Sequence, residues 1–252
     1  MNTSTVGTKG ESGLKDAMFL LKTYWSYSKF AFPLTIFVFA AYGGFAGMLL
    51  NTLQKENREV AGFIADVIIV CFSSCAGFLL SKGYLNNPYW KNDSFSKQLA
   101  SLRIVPIPVG TLALSRSLQV LILSPITMTA FFAVMYVSSG WAKELSLLTY
   151  LQFILVWFGC GNLVGAWHIV QEWSVSGRRY FWSSSVIVVL IIVLCAAVWS
   201  LSGTHLTIVL GEELSRPATG WAAAAVGLGV TVLSHVWMYR KLCATLLSRD
   251  FG

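Results

Sequence analysis

Charge is scarce in this chain. Of its 252 residues only 12% are Asp, Glu, Lys or Arg, against a hydrophobic share of 56% and a mean hydropathy of +0.66. A soluble domain of this length carries about twice that charge density, so a water-facing globule is excluded. Catalytic signatures are missing too. The sequence has no Gly-x-x-x-x-Gly-Lys-Ser/Thr phosphate loop, no His-Glu-x-x-His, no Gly-x-Ser-x-Gly and no pair of acids placed for acid–base work. The three histidines, His168, His205 and His235, are scattered, and the five cysteines form no Cys-x-x-Cys pair. A metal needs convergent ligands, so the cysteines read as small apolar packing residues. The chain is therefore expected to be no enzyme by itself and to hold no cofactor or metal of its own.

What the sequence does have is long uncharged apolar blocks, each near the roughly 20 residues that carry a helix across about 30 Å of hydrocarbon. Open strands would leave their backbone groups unpaired in lipid, and a membrane barrel would show short alternating segments instead. The fold expected is all-α, a polytopic membrane protein of six transmembrane helices. The spans fall at 30–53, 60–80, 117–138, 147–170, 180–201 and 218–238. Pro125 interrupts the third, where a kink is the simple expectation.

Before the first span, Leu14, Met18, Leu21 and Trp25 follow helical spacing among Lys15, Lys22 and Lys29. That pattern predicts an amphipathic helix at the membrane interface within a cytoplasmic leader, 1–29, unlike a cleaved signal peptide. A six-helix domain follows over 30–241 and a cytoplasmic tail over 242–252.

The net charge of +7 lies beside apolar spans and so sets orientation, with no nucleic-acid partner implied. Fourteen of the 18 Lys and Arg fall on one side of the six spans and four on the other. Basic loops stay in the cytoplasm, which predicts both termini inside, N-in and C-in.

Within the spans, Asp66 is a possible intramembrane polar site. A carrier would use such an acid to bind a proton or a cation, whereas a shallow acid also reaches the headgroups or accepts a hydrogen bond from a neighbouring helix. His168 and Glu172, one helical turn apart, are expected to pair locally at the cytoplasmic end of the fourth span. Gly43-x-x-x-Gly47 and Gly161-x-x-x-Gly165 permit close helix approach. Trp141, Trp182 and Trp221, near span ends, fit an aromatic belt.

The longest polar loop runs from 82 to 116. Asp93-Ser94 offers a capped helix start, and Phe95, Leu99 and Leu102 share one face of a short helix that also carries Lys97, Gln98 and Arg103. Pro106 and Pro108 stop that helix and lead into the third span. Such a helix serves either as a handle for a cytoplasmic partner or as a segment resting on lipid headgroups.

An amphipathic leader, six spans and this long loop between the second and third, with Ile104-Val105-Pro106-Ile107-Pro108 and Ser115-Arg116 after the short helix, resemble the permease subunits of ABC-2-class exporters. The resemblance implies a permease subunit of the cell membrane, bacterial and multi-pass, that uses a separate cytoplasmic ABC ATPase with ATP and Mg on that partner. It also implies a second permease subunit, the same or different. Phe95, Lys97, Gln98, Leu99, Leu102 and Arg103 would form the coupling interface. A peptide, antibiotic or lipid-like substrate would pass between the two permeases, with membrane lipids around both and the loop 203–217 outside. An ATPase-independent carrier or channel, and a non-transporting membrane scaffold, are the alternatives.

Overall fold

The apolar runs fold as helices in a computed structural model, which describes residues 6–26, 29–56, 59–79 and 107–248. Regular structure among these residues is entirely helical: α1 (Val6–Ser26), α2 (Ala31–Glu56), α3 (Glu59–Ser74), α4 (Val109–Ser138), α5 (Gly140–Glu144), α6 (Leu147–Ser174), α7 (Gly177–Ser202), α8 (Leu206–Leu214) and α9 (Pro217–Ser248). Five of them, α2, α4, α6, α7 and α9, are long and apolar enough to cross a bilayer, which makes this a multi-pass membrane protein.

Local chemistry sets the ends. The Ser146 hydroxyl accepts the Thr149 amide at 3.1 Å and starts α6, and Ser139 does the same for α5 through Ala142 at 3.2 Å. Helix α7 stops at Gly203, whose φ of 68° is a left-handed cap that costs glycine little. Pro125 lies inside α4 without ending it.

Helices α2, α4 and α7 run one way, and α3, α6 and α9 the other. The paired positions show this: Asn51 of α2 meets Ser138 at the end of α4, whereas Asn162 and Glu172 of α6 meet Ser124 and Arg116 of α4 in reverse order. The described basic residues Lys29, Arg116, Arg178, Arg179, Arg240 and Lys241 therefore gather at one end of the bundle, called here the basic end. At the opposite end the Asn51 amide ties three helices, donating to the Ser138 carbonyl at 2.5 Å and accepting from the Gly140 amide.

Glycines decide how closely the helices approach. Gly43 and Gly47 bring α2 onto the backbone of α4 at Phe131 and Met135, while Gly161 and Gly165 bring α6 onto α3 at Ser73 and Ser74. A further seam, unmarked by any spacing rule, joins α6 to α9. A β-carbon on Gly159 would sit 2.5 Å from the Gly227 carbonyl oxygen, and one on Gly227 would sit 2.5 Å from that of Leu155. Lipid supplies no hydrophobic drive between helices, so this backbone contact is what dispersion acts through. Gly159→Val is expected to lose about 1–3 kcal/mol in unfolding from mixed micelles, because backbone cannot yield as a side chain would. Gly229→Ala, which points into open space, should stay within about 0.5 kcal/mol of the parent in the same titration.

The structure departs from the sequence expectation at four places. Helix α3 ends at Ser74 rather than continuing to 80, and 75–77 form a turn inside the bundle. There the Thr127 hydroxyl donates to the Ala76 carbonyl at 2.7 Å, and Gly77 packs against Val120, where a β-carbon would come within 2.7 Å of a methyl. Helix α4 begins at Val109, eight residues before the expected 117, which moves Arg116 from the loop into the helix. Helix α9 runs on to Ser248 with Leu242 and Leu246 buried against Ala113 and Leu112, so residues 242–248 pack in the bundle. The region between α7 and α9 holds the helix α8.

Candidate functional site

Helix α1 lies against α4, with Ala17 and Leu21 buried and Phe19 exposed. The expected apolar stripe is thus split: Leu21 faces the bundle, Trp25 is half-buried beside Phe32, and Leu14 is largely exposed. The candidate coupling residues Phe95, Lys97, Gln98, Leu99, Leu102 and Arg103 lie outside the described residues.

The chain re-enters the described region at Ile107, and two turns into α4 stands Arg116. Its guanidinium is buried at 8% exposure, with Nη2 donating to both oxygens of Glu172 at 2.9 and 3.1 Å and Nη1 donating to Gln119 Oε1 at 2.7 Å. Gln119 is one helical turn along on α4, whereas Glu172 belongs to the last turn of α6. Removing both charges from water is costly, and the chelated geometry with the amide offsets that cost.

The local pairing expected between His168 and Glu172 does not form. Glu172 turns to Arg116, which offers a full charge and a fork of donors. His168 instead meets the Ser184 hydroxyl at 3.3 Å and is packed edge-on by Phe78, Trp167 and Tyr180 at ring separations of 5.1–6.0 Å.

Deeper in the bundle a line of polar side chains crosses three helices. The Ser124 hydroxyl lies 3.2 Å from Asn162 Oδ1, and the same oxygen lies 3.2 Å from His235 Nε2. His235 Nδ1 then lies 3.2 Å from the Ser117 hydroxyl, back on α4. With His235 neutral and protonated on Nε2, both imidazole nitrogens are satisfied: one donates to Asn162, the other accepts from Ser117.

Asp66 occupies the opposite part of the bundle and is fully buried. Oδ2 accepts the Leu206 amide at 2.8 Å, while Oδ1 accepts the Thr207 amide at 2.9 Å and its hydroxyl at 2.5 Å. The residue ahead of α8, His205, makes no side-chain cap of its own. A carboxylate from α3 supplies the cap instead, meeting the orphan amides and the positive end of the α8 dipole together. His205 Nδ1 stands 3.7 Å from the same carboxylate, and its ring stacks on Trp199 at 6.0 Å. Gly62, one turn before Asp66, leaves room for that imidazole, since a β-carbon there would lie 2.5 Å from it. Of the roles open to Asp66 from sequence, these contacts are those of an acceptor for a neighbouring element.

Trp182 and Trp221 stand exposed near helix ends, but Trp141 packs on Phe153 and under Gly211 of α8. Among the described residues no three His, Cys, Asp or Glu come together as metal ligands, and all five cysteines are free.

Arg116–Glu172 and the Ser124–Asn162–His235–Ser117 line escaped the sequence reading. The available signal was the apolar stretch 109–114, which is helical in character and would have carried the helix back past Arg116. No protein-family model, no curated protein and no solved structure matches this chain.

Proposed function

We propose that the chain is the membrane permease subunit of an ATP-driven exporter of the ABC-2 class, working with a separate cytoplasmic ATPase and a second permease subunit. In this reading α3 is the sixth span, α1 rests at the interface, and the basic end faces the cytoplasm with both termini. The membrane is the bacterial cell membrane and the substrate a peptide, an antibiotic or a lipid-like molecule.

The observation that carries the reading is the buried Arg116–Glu172 pair. It couples the first turns of α4, which begins at Val109 where the loop gives way to helix, to the last turn of α6. A displacement of the loop by a closing ATPase then moves two helices, not one. Helix α1, packed on the same α4, would follow. Asp66 holds α8 against the bundle at the other end, where the exporter opens outward.

The test is a mild-detergent pull-down of the tagged chain with ATPase activity measured on the co-purified material. A stoichiometric soluble ATPase is expected, lost in the double variant Lys97→Glu, Arg103→Glu while the bundle stays folded. Unchanged co-purification and transport in that variant would remove the coupling assignment.

A second reading, an ATPase-independent carrier, is favoured by the end of α3 inside the bundle, because interrupted helices are where carriers build their ion sites. A chain that purifies alone would move the assignment there.

A further inference from the structure

Non-helical backbone at membrane depth persists only where protein or a polar cavity surrounds it. The turn after α3 meets that condition: Gly161 lies against the Ser73 carbonyl, a β-carbon on Gly165 would lie 3.5 Å from the Ser74 carbonyl oxygen, and Thr127 reaches Ala76. Three helices therefore bring polar atoms to one level. Ser73, Ser74, Ser124, Thr127 and Asn162 are all at least nine-tenths buried there.

Their hydrogen bonds are unevenly spent. Ser74 returns its hydroxyl proton to the Val70 carbonyl at 2.8 Å, whereas the Ser73 hydroxyl has no partner among the described residues. The Ser74 carbonyl likewise accepts no hydrogen bond from a described residue, since the Phe78 amide goes to Cys75. Ser124 directs its proton to Asn162, and Thr127 directs its own to Ala76 and the carbonyls of its own helix, so the lone pairs of both hydroxyls are left over. A buried polar group without a partner is costly, and an ion or water is the usual remedy.

We propose that the end of α3 is a binding site for one alkali cation, with Ser73 Oγ, the Ser74 carbonyl, Ser124 Oγ and Thr127 Oγ1 as its oxygens. Asn162 holds Ser124 in position without ligating. Hard neutral oxygens suit an alkali ion, and the negative end of the α3 dipole points the same way. The set includes no carboxylate, so it solvates an ion through dipoles alone, which suits a single positive charge and selects against Ca2+ or Mg2+. Asp66 lies two turns up α3, engaged by α8, and Glu172 is engaged by Arg116. The site belongs to the bundle alone and does not depend on what drives transport.

Full-length protein in detergent is melted in NaCl, KCl or choline chloride at equal ionic strength, and 22Na+ binding is measured on the same preparation. A saturable rise in melting temperature with Na+ or K+ but not choline is expected, with near one ion bound per chain. Ser73→Ala and, separately, Ser124→Ala should weaken the response at least tenfold. Thr52→Ala, an exposed hydroxyl bonded to its own helix, should keep it. Identical melting in all three salts, with no bound 22Na+, means the site holds water and overturns the proposal, as does a cation response that survives both serine variants. Neither result bears on ATPase co-purification, so the exporter reading stands or falls separately.

Discussion

Glu172→Ala is expected to cost about 3–5 kcal/mol of bundle stability, because it takes from the buried Arg116 guanidinium the carboxylate whose two oxygens its Nη2 meets. The deletion exposes the asymmetry of such pairs. The intact pair contributes little net stability, since desolvation of both ions offsets their attraction, while half a pair is a charge in a nonpolar place. The double variant Arg116→Leu, Glu172→Leu should accordingly return to within about 1 kcal/mol of the parent, or exceed it. If the chain is the proposed exporter subunit and the pair carries its coupling, this double variant folds but no longer links ATP hydrolysis to transport. The charge exchange Arg116→Glu, Glu172→Arg should restore part of that linkage. Equilibrium unfolding in mixed micelles reads the first effect and substrate-stimulated ATPase activity the second. A single Glu172→Ala variant as stable as its parent would show that the pair is not closed in the membrane-embedded protein.

Asp66→Ala is the second large effect, and it should be local. The carboxylate holds two amides and one hydroxyl of α8, and leaving those donors unpaired costs about 3 kcal/mol. Hydrogen exchange at the α8 amides should quicken by about a hundredfold, the rate equivalent of that energy, with little change in α4 and α6. Asp66→Asn keeps the shape but aims an amide group at donors, so it should fall near the alanine variant. Thr207→Val removes only the hydroxyl bond and should cost about 1 kcal/mol. Exchange in α8 that is indifferent to Asp66→Asn would mean the charge plays no part in the cap.

These two features show what the sequence discloses and what it withholds. The apolar helices were legible because length and the absence of charge are strong constraints in hydrocarbon, and the Gly43 and Gly161 motifs were legible because their period places both glycines on one face. Asp66 was legible as an anomaly, but its partners lie 140 and 141 residues away and no local rule reaches them. Arg116 was misplaced because a basic residue beside an apolar block reads as its boundary. The pairing energy of Glu172, 56 residues further on, turned that boundary into an interior. His168 failed for the same reason in reverse, its neighbour at helical spacing being claimed by a stronger and more distant donor. The end of α3 was hidden because Ser, Cys, Ala and Gly are all tolerated in membrane helices, and the contacts that meet the chain where the winding stops, from Thr127, Val120, Gly161 and Gly165, come from other helices.

Helix α7 stands apart from the rest of the bundle. Val186, Val189, Leu190, Val193 and Leu194 face outward and its main protein neighbour is α3. Its 26 residues extend about 39 Å at 1.5 Å each, against a hydrocarbon layer of about 30 Å. The surplus is absorbed by tilt, or by seating Arg178, Arg179 and Trp182 among the headgroups. Of the five long apolar helices α7 is the least covered by protein, so its pose answers most to membrane thickness and the lipid composition of the host becomes a structural variable of this protein in its own right.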